Sequence, residues 1–315
     1  MTNIPFLDGP ALEAARVSTI DAIAAIETGL AALGRGDAQQ PPPPALSPAK
    51  GAFFQPLTAA LPARNRASVN WLSYHPGNVS IGLPHSGGVL VLNDFTTGEP
   101  LCIMDGIWVS HRRTGYIAAL GAKYLAGAYD DIALIGPGAI AEFAVEALSA
   151  LGLITAGLRV CGRRRETADA FCAKMGAMHG VKATSIADPR VALAGARLVV
   201  TATSHEGAPF VERDWVAPGA LLILIDRLRL LKPALVGAAG RIVTNSRDSL
   251  ARWGVEADSA RVESFPEIVA AGRRVPVAED AVALYDAGGL AVADLAFADL
   301  LWNRIAAQRH DETKP

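Results

Sequence analysis

The sequence predicts an α/β protein built on a Rossmann-type, doubly wound parallel sheet, with a second, smaller α+β domain beside it. Three observations carry that prediction. Between Asp131 and Gly162 an apolar run, a glycine turn, a helical stretch and a second apolar run follow one another, which is the order of a dinucleotide-binding βαβ unit. Beyond Gly162 continuous apolar strands alternate with amphipathic helices, as in a parallel sheet covered on both faces. From Ala52 to Asp105 the pattern is different: short β-like runs parted by glycine and proline. A chain of 315 residues is long enough for two domains.

Composition narrows the class of partner. Hydrophobic residues make up 51% of the chain and charged ones 19%, ample for buried cores. A formal net charge of −2 gives no reason to expect nucleic acid or an acidic membrane surface. Cys102, Cys161 and Cys172 are odd in number and lack metal-ligand spacing, which argues against a disulfide framework or a metal site. No His-Glu-x-x-His occurs among the six histidines. The first residues show no basic region followed by an apolar one, and Ala220 to Ile225 is far too short to span a bilayer. The expectation is a cytoplasmic protein with a small-molecule partner.

The elements follow in order. Ser18 or Thr19 caps a helix in which Ile20, Ile23, Ile26, Leu30 and Leu33 recur at helical spacing, and Gly34 reads as its stop. Pro41 to Pro44 form a stiff extended connector. Ser68 to Tyr74, Val89 to Asp94 and Leu101 to Met104 read as strands, with Thr96 to Pro100 as the turn between the last two. Ser110 reads as the N-cap of a helix reaching Tyr124 or Leu125. After the glycine-turn unit come a helix from about Glu166 to Met175, a strand near Lys182 and a short helix around Arg190 to Leu193. Strands at Leu198 to Ala202 and Ala220 to Ile225 follow. A last helix, about Leu290 to Gln308, is expected to return to the first domain.

In the glycine-turn unit each small residue has a task. Gly136 permits a tight turn, Gly138 lets the backbone approach a pyrophosphate, and Ala141 lets helix and strand pack. The N-terminus of the helix, read from Glu142 to Leu151, would face the phosphates, with Ala139 and Ile140 of the preceding turn expected to contact the cofactor. Thr201, Ala202 and Thr203, at the end of the strand read from Leu198 to Ala202, are expected to reach the same ligand. Where NAD-binding proteins place an acid for the ribose hydroxyls, this chain has Gly162 followed by Arg163, Arg164 and Arg165. Missing repulsion and added guanidinium donors favour the 2′-phosphate of NADP(H), with NAD(H) as the alternative. A solvated basic helix start is the other reading of the three arginines.

Asp226 directly follows Leu221 to Ile225, at the carboxyl end of a buried strand, the edge where open α/β sheets bind ligands. It reads as a general acid or base, or more plainly as a cap or a partner for Arg227 or Arg229. Arg112 and Arg113, in the first turn after Ser110, would stand at the helix end that disfavours cations, a cost that a bound anion offsets. Residues adjacent on a helix diverge by about 100°, so one of the two would face the site; a surface ion pair is the alternative. His75 and His85, near Pro76-Gly77-Asn78 and Gly82-Leu83-Pro84, are structural residues or line the substrate side.

From about Val69 to Trp302 the chain resembles the ornithine cyclodeaminase/μ-crystallin family. The resemblance rests on Pro76-Gly77-Asn78, Gly82-Leu83-Pro84, Asp94 with Thr97-Gly98-Glu99-Pro100, Met104-Asp105-Gly106 and Arg113-Thr114-Gly115. It continues through Ala122 to Ala126, Gly136-x-Gly138, Asp226 and Leu284-Tyr285-Asp286 with Gly288, Gly289 and Asp294. It implies a homodimer in which the Rossmann domain, residues 119–289, is inserted in a substrate-binding and dimerisation domain, residues 1–118 completed by 290–315. It implies an NAD(P)H-dependent imine or ketimine reductase, or the reverse amino-acid or amine dehydrogenase. Ornithine cyclodeaminase-type ammonia-lyase activity with bound NAD and NADPH-dependent ligand binding without catalysis are the alternatives. By position, Arg113 would hold a substrate carboxylate, Thr114 would lie near the cofactor phosphates and Asp226 would be the acid or base. Two departures stand out. Asn70 occupies the place of a family lysine, and Pro44-Ala45-Leu46 lacks an early arginine. Asn70 brings hydrogen bonds without charge, and Lys50 or Arg66 would have to replace a lost cation from a nearby position.

Overall fold

The computed structural model describes residues 4–127, 129–251, 254–256 and 260–312, the side chains of 249 and 310–312 excepted. In chain order the early elements are β1 (Phe6–Leu7), α1 (Gly9–Glu13), α2 (Thr19–Arg35), β2 (Phe53–Leu61), β3 (Arg66–Tyr74), β4 (Ser86–Asp94), β5 (Pro100–Asp105) and α3 (Gly106–Leu125). The glycine-turn unit is β6 (Tyr129–Ile135), α4 (Ala139–Ala150) and β7 (Ile154–Cys161). Then come α5 (Arg165–His179), β8 (Ala183–Ser185), α6 (Pro189–Leu193), β9 (Leu198–Thr201), β10 (Leu221–Leu224), α7 (Pro233–Ala238) and β11 (Arg241–Thr244). The chain closes with α8 (Arg247–Ala251), β12 (Val262–Ser264), α9 (Phe265–Ala270), β13 (Ala283–Asp286) and α10 (Ala291–Glu312). Two units emerge, Met1–Arg113 with Gly289–Pro315, and Thr114–Gly288. No helix among the described residues is long and apolar enough to cross a membrane.

Strand alternation organises the first unit. Its sheet runs β1-β5-β4-β3-β2, antiparallel except for the β1–β5 pair. Successive side chains point to opposite faces, so Leu57, Asn70, Leu90 and Met104 form one row across the strands and all four are buried. α10 packs against α2 and against β2, β3 and β4 of the same unit. The facing row, Pro56, Trp71, Val89 and Asp105, leaves Trp71 39% and Val89 41% exposed.

Two helix ends differ from the expectation. Ser18 caps α2, its hydroxyl accepting from the Asp21 amide at 3.1 Å, but the helix runs through Gly34 and stops at Gly36, whose φ of 79° ends it in the left-handed conformation. Ile20, one position into that helix, lies outside the buried stripe and is exposed. Ser110 is no cap. α3 starts four residues earlier, where the Asp105 carboxylate accepts from the Ile107 and Trp108 amides at 3.0 Å each. Arg112 and Arg113 therefore lie beyond the first turn, and the argument for an anion from an unfavourable macrodipole lapses.

Continuous apolar strands build the second unit. All eight strands run parallel in the order β12-β11-β13-β10-β9-β6-β7-β8, and Leu221 to Leu224 are wholly buried. From β6 the chain steps outward to β7 and β8, then crosses back so that β9 lies on the other side of β6. Such a reversal opens a crevice outside the carboxyl ends of the strands.

Candidate active site

Two loops meet at that reversal. β6 ends at Ile135, and Gly136 turns the chain with a φ of 95°. A Cβ there would stand 2.6 Å from the carbonyl oxygen of Ala202, just beyond β9, so no other residue fits. Gly138 is the N-cap of α4 and offers no side chain to the first-turn amides. Among the described residues nothing lies within 4 Å of the position its Cβ would take. Ala141, buried, packs the helix on the sheet. The amides of Ala139 and Ile140 thus begin a helix at an open, close-approach surface, an arrangement that suits a phosphate.

Beside the same helix lies a cavity of about 570 Å³ lined by Pro137, Glu142, Arg164, Thr167, Phe171 and Lys174 among others. Arg164 precedes α5, and both Arg163 and Arg164 are exposed. Arg165 reaches Asp169 at 3.6 Å along its own helix, and Lys174 pairs with Glu142 at 2.6 Å.

One strand further, β10 delivers Asp226. The Thr201 hydroxyl donates to its Oδ1, and the Thr203 amide lies 3.4 Å from its Oδ2. Burial pushes the carboxyl up to about 7, while Thr201, Thr203, its own amide and Arg229 pull it down. Thr201 and Thr203, expected beside the cofactor, thus also hold the acid. The structure brings Asp226, Thr201, Ala202, Thr203 and the Gly136 turn together at the ends of three adjacent strands.

The remaining candidates lie in the first unit, except Thr114, which is buried at the start of the second. Arg113 donates from Nε to Asp294 Oδ1 at 2.8 Å and from a terminal nitrogen to the Ser110 hydroxyl at 3.1 Å. Arg112 diverges from it, pairing with Glu13 at 2.9 Å and lying over the Trp108 ring. Burial raises the Asp294 carboxyl, against the Arg113 charge and hydrogen bonds from Arg113 and Asn70. Asn70 donates to the Gly106 carbonyl at 3.3 Å, leaving its Oδ1 buried without a hydrogen-bond partner among the described residues. His75 packs edge-on to Phe54, His85 lies over Tyr74, and the His75 amide donates to the His85 carbonyl at 2.7 Å. Lys50 is exposed in a turn whose Gly51 lies beside Pro76, so it falls near His75.

Sequence reasoning missed His111. Burial, the His85 ring and Arg113 hold its pKa low, with Asp105 opposing, so it is held toward the neutral imidazole. One residue from the arginine pair, it carried no pattern that could have marked it. Arg227 was seen only as a neighbour of Asp226, and its φ of 65° is visible only in the fold.

The strand order β8-β7-β6-β9-β10, with a glycine turn at the point of reversal, defines a Rossmann-type nucleotide-binding fold. The chain belongs to the ornithine cyclodeaminase/mu-crystallin family, whose pattern matches residues 11–309. Among its relatives, the nodulation efficiency protein NfeD of Rhizobium meliloti is 32% identical over 199 residues, 63% of this chain and 61% of that protein. Delta(1)-pyrroline-2-carboxylate reductase 2 of Burkholderia ambifaria is 45% identical over 112 residues, 35% of this chain and 36% of that one. These matches span less than two thirds of either relative. The solved structure of Thermococcus litoralis Delta(1)-pyrroline-2-carboxylate reductase, in complex with NADH and L-proline, shares the fold. Its TM-score is 0.86 at 23% identity, covering 98% of both chains.

Proposed function

We propose that the protein is an NAD(P)H-dependent oxidoreductase of C=N bonds, reducing an imine or ketimine or, in reverse, oxidising an amine or amino acid. The observation that carries this reading is Asp226, a carboxyl raised to about 7 and held by Thr201 and Thr203, two strands from the strand that ends in the glycine turn. A group that titrates near neutrality can both give and take a proton. When bound, the dinucleotide supplies or accepts the hydride at its nicotinamide ring. Asp226 gives its proton to the imine nitrogen, and the resulting carboxylate is stabilised by the Thr201 hydroxyl and the Thr203 amide.

Gly136, Gly138 and the amides of Ala139 and Ile140 would hold the pyrophosphate, with Thr114 nearby. Gly162, Arg163 and Arg164 support a preference for NADP(H), since Gly162 stands where an acid would take the ribose hydroxyls and Arg164 lines the cavity beside α4 together with Glu166. The NADH named for the Thermococcus litoralis enzyme supports a nicotinamide dinucleotide, and the Burkholderia ambifaria relative supports a cyclic imino acid as substrate class. In the first unit Arg113 is assigned to an acidic group of the substrate. Asp294 and Ser110 fix its guanidinium through Nε and one terminal nitrogen. Asn70 would add neutral hydrogen bonding, and His75, His85 and Lys50 would border the substrate side. The half-exposed face with Trp71 and Val89 supports a homodimer closed over that sheet.

The test is consumption of NADPH or NADH by the purified chain with Delta(1)-pyrroline-2-carboxylate and with uncharged 1-pyrroline, beside direct binding of both cofactors. Net oxidation of NADPH, with NADPH bound more tightly than NADH, is expected. Ammonia released from ornithine without net cofactor change would replace this reading with a lyase. Cofactor binding with no turnover of any imine would replace it with a ligand-binding role.

A further inference from the structure

Arg227 follows the acid directly and has a left-handed backbone, with a φ of 65°. Among the described residues only Arg16 and Asn65 share that state without being glycine. For a residue with a Cβ this conformation is strained, and glycine would take it freely. An arginine kept there points to work for its side chain.

The turn at Arg227, whose amide lies 3.3 Å from the Leu224 carbonyl, sends two charged groups different ways. Asp226 is held toward β9 by Thr201 and Thr203. The Arg227 guanidinium instead lies beyond β13, over Gly288, where its Cζ is 3.1 Å from the place a Cβ would occupy. Gly288 itself is fixed, because Asn245 donates to its carbonyl at 3.0 Å and the Tyr285 hydroxyl anchors Asn245 at 2.8 Å. A missing side chain at 288 thus seats a guanidinium at the ligand-binding edge of the sheet, next in sequence to the acid.

We infer that Arg227 is the specificity-determining cation of the second unit, recognising the carboxylate of an α-imino acid whose C=N bond faces Asp226. The inference rests on the reading of the protein as an imine reductase. A guanidinium matches a carboxylate through two parallel N–H bonds, and such charge-assisted bonds are the strong ones.

Arg227→Gly relieves the backbone strain while deleting the cation, so the variant keeps its fold. It should raise KM for Delta(1)-pyrroline-2-carboxylate, and Kd for the unreactive pyrrole-2-carboxylate, by about 10- to 100-fold. KM for uncharged 1-pyrroline should stay unchanged. Gly288→Ala, which crowds the guanidinium without touching the acid, should reproduce the same selectivity at smaller amplitude. Equal changes for charged and uncharged imines, or none, overturn the inference. If the wild-type protein reduces neither imine, the enzymatic reading fails, and pyrrole-2-carboxylate affinity alone then decides whether Arg227 binds the carboxylate.

Discussion

Asp226 is the buried carboxyl through which the proposed chemistry would be coupled to pH. Its pKa rises from 3.8 to about 7 because burial penalises the charged form. A folded-state pKa above the unfolded one means that protonation favours the fold. That contribution is complete below the unfolded pKa and is lost as pH rises through 7. Asp226→Asn is neutral throughout, so its Tm should exceed that of the wild type above pH 7 and converge with it near pH 4, as thermal melts across pH would show. Catalysis should follow the same proton. Imine reduction should decline above about pH 7 as the donor ionises, and amine oxidation should increase. Asp226→Asn should lower kcat by about 10²- to 10⁴-fold with dinucleotide affinity nearly intact. A variant that keeps its rate would remove Asp226 from the mechanism.

At the scale of elements, the turn between β6 and α4 is where backbone geometry bears on the proposed dinucleotide site. Gly136 combines a positive φ with contact of its missing Cβ against the Ala202 carbonyl, so it ties the ends of β6 and β9 together. Gly136→Ala should destabilise the fold by about 1–3 kcal/mol and weaken dinucleotide binding in calorimetric titration. Normal affinity in that variant would separate the turn from the cofactor. The α3 start shows the opposite case, a capping signal present twice. Ser110 and Asp105 are both residue types that cap helices, and only the pairing of Asp105 with Val89 in the sheet marks where the strand ends and the helix begins.

For the whole molecule, the exposed row on the five-stranded sheet bears on assembly. Trp71, stacked on Phe54 with centroids 5.9 Å apart, and Val89 lie side by side on it, and Phe6 at the sheet's other edge is 59% exposed. Light scattering should give a mass near twice 32.8 kDa, and Trp71→Glu should reduce it to that of one chain by placing a charge in the buried interface. A single-chain mass for the wild type at assay concentration would refute the homodimer.

The glycine turn, the apolar strands around it and the family were legible from residue order, because they are written in short-range spacing that local backbone physics reads directly. Asp226 stood out for the same reason, as a charge ending an apolar run. Strands β11, β12 and β13 escaped notice, since runs of three or four residues carry little periodicity and take their place from parallel neighbours far away in sequence. The Arg113–Asp294 pair spans 181 residues, and the approach of Arg227 to Gly288 depends on where β10 and β13 end side by side. Sequence alone determined what kind of fold this chain makes and singled out Asp226 as the candidate acid. Only tertiary structure decided that acid's proton affinity and the partners of the charges around it, because both depend on burial and distance, which arise only when remote segments pack.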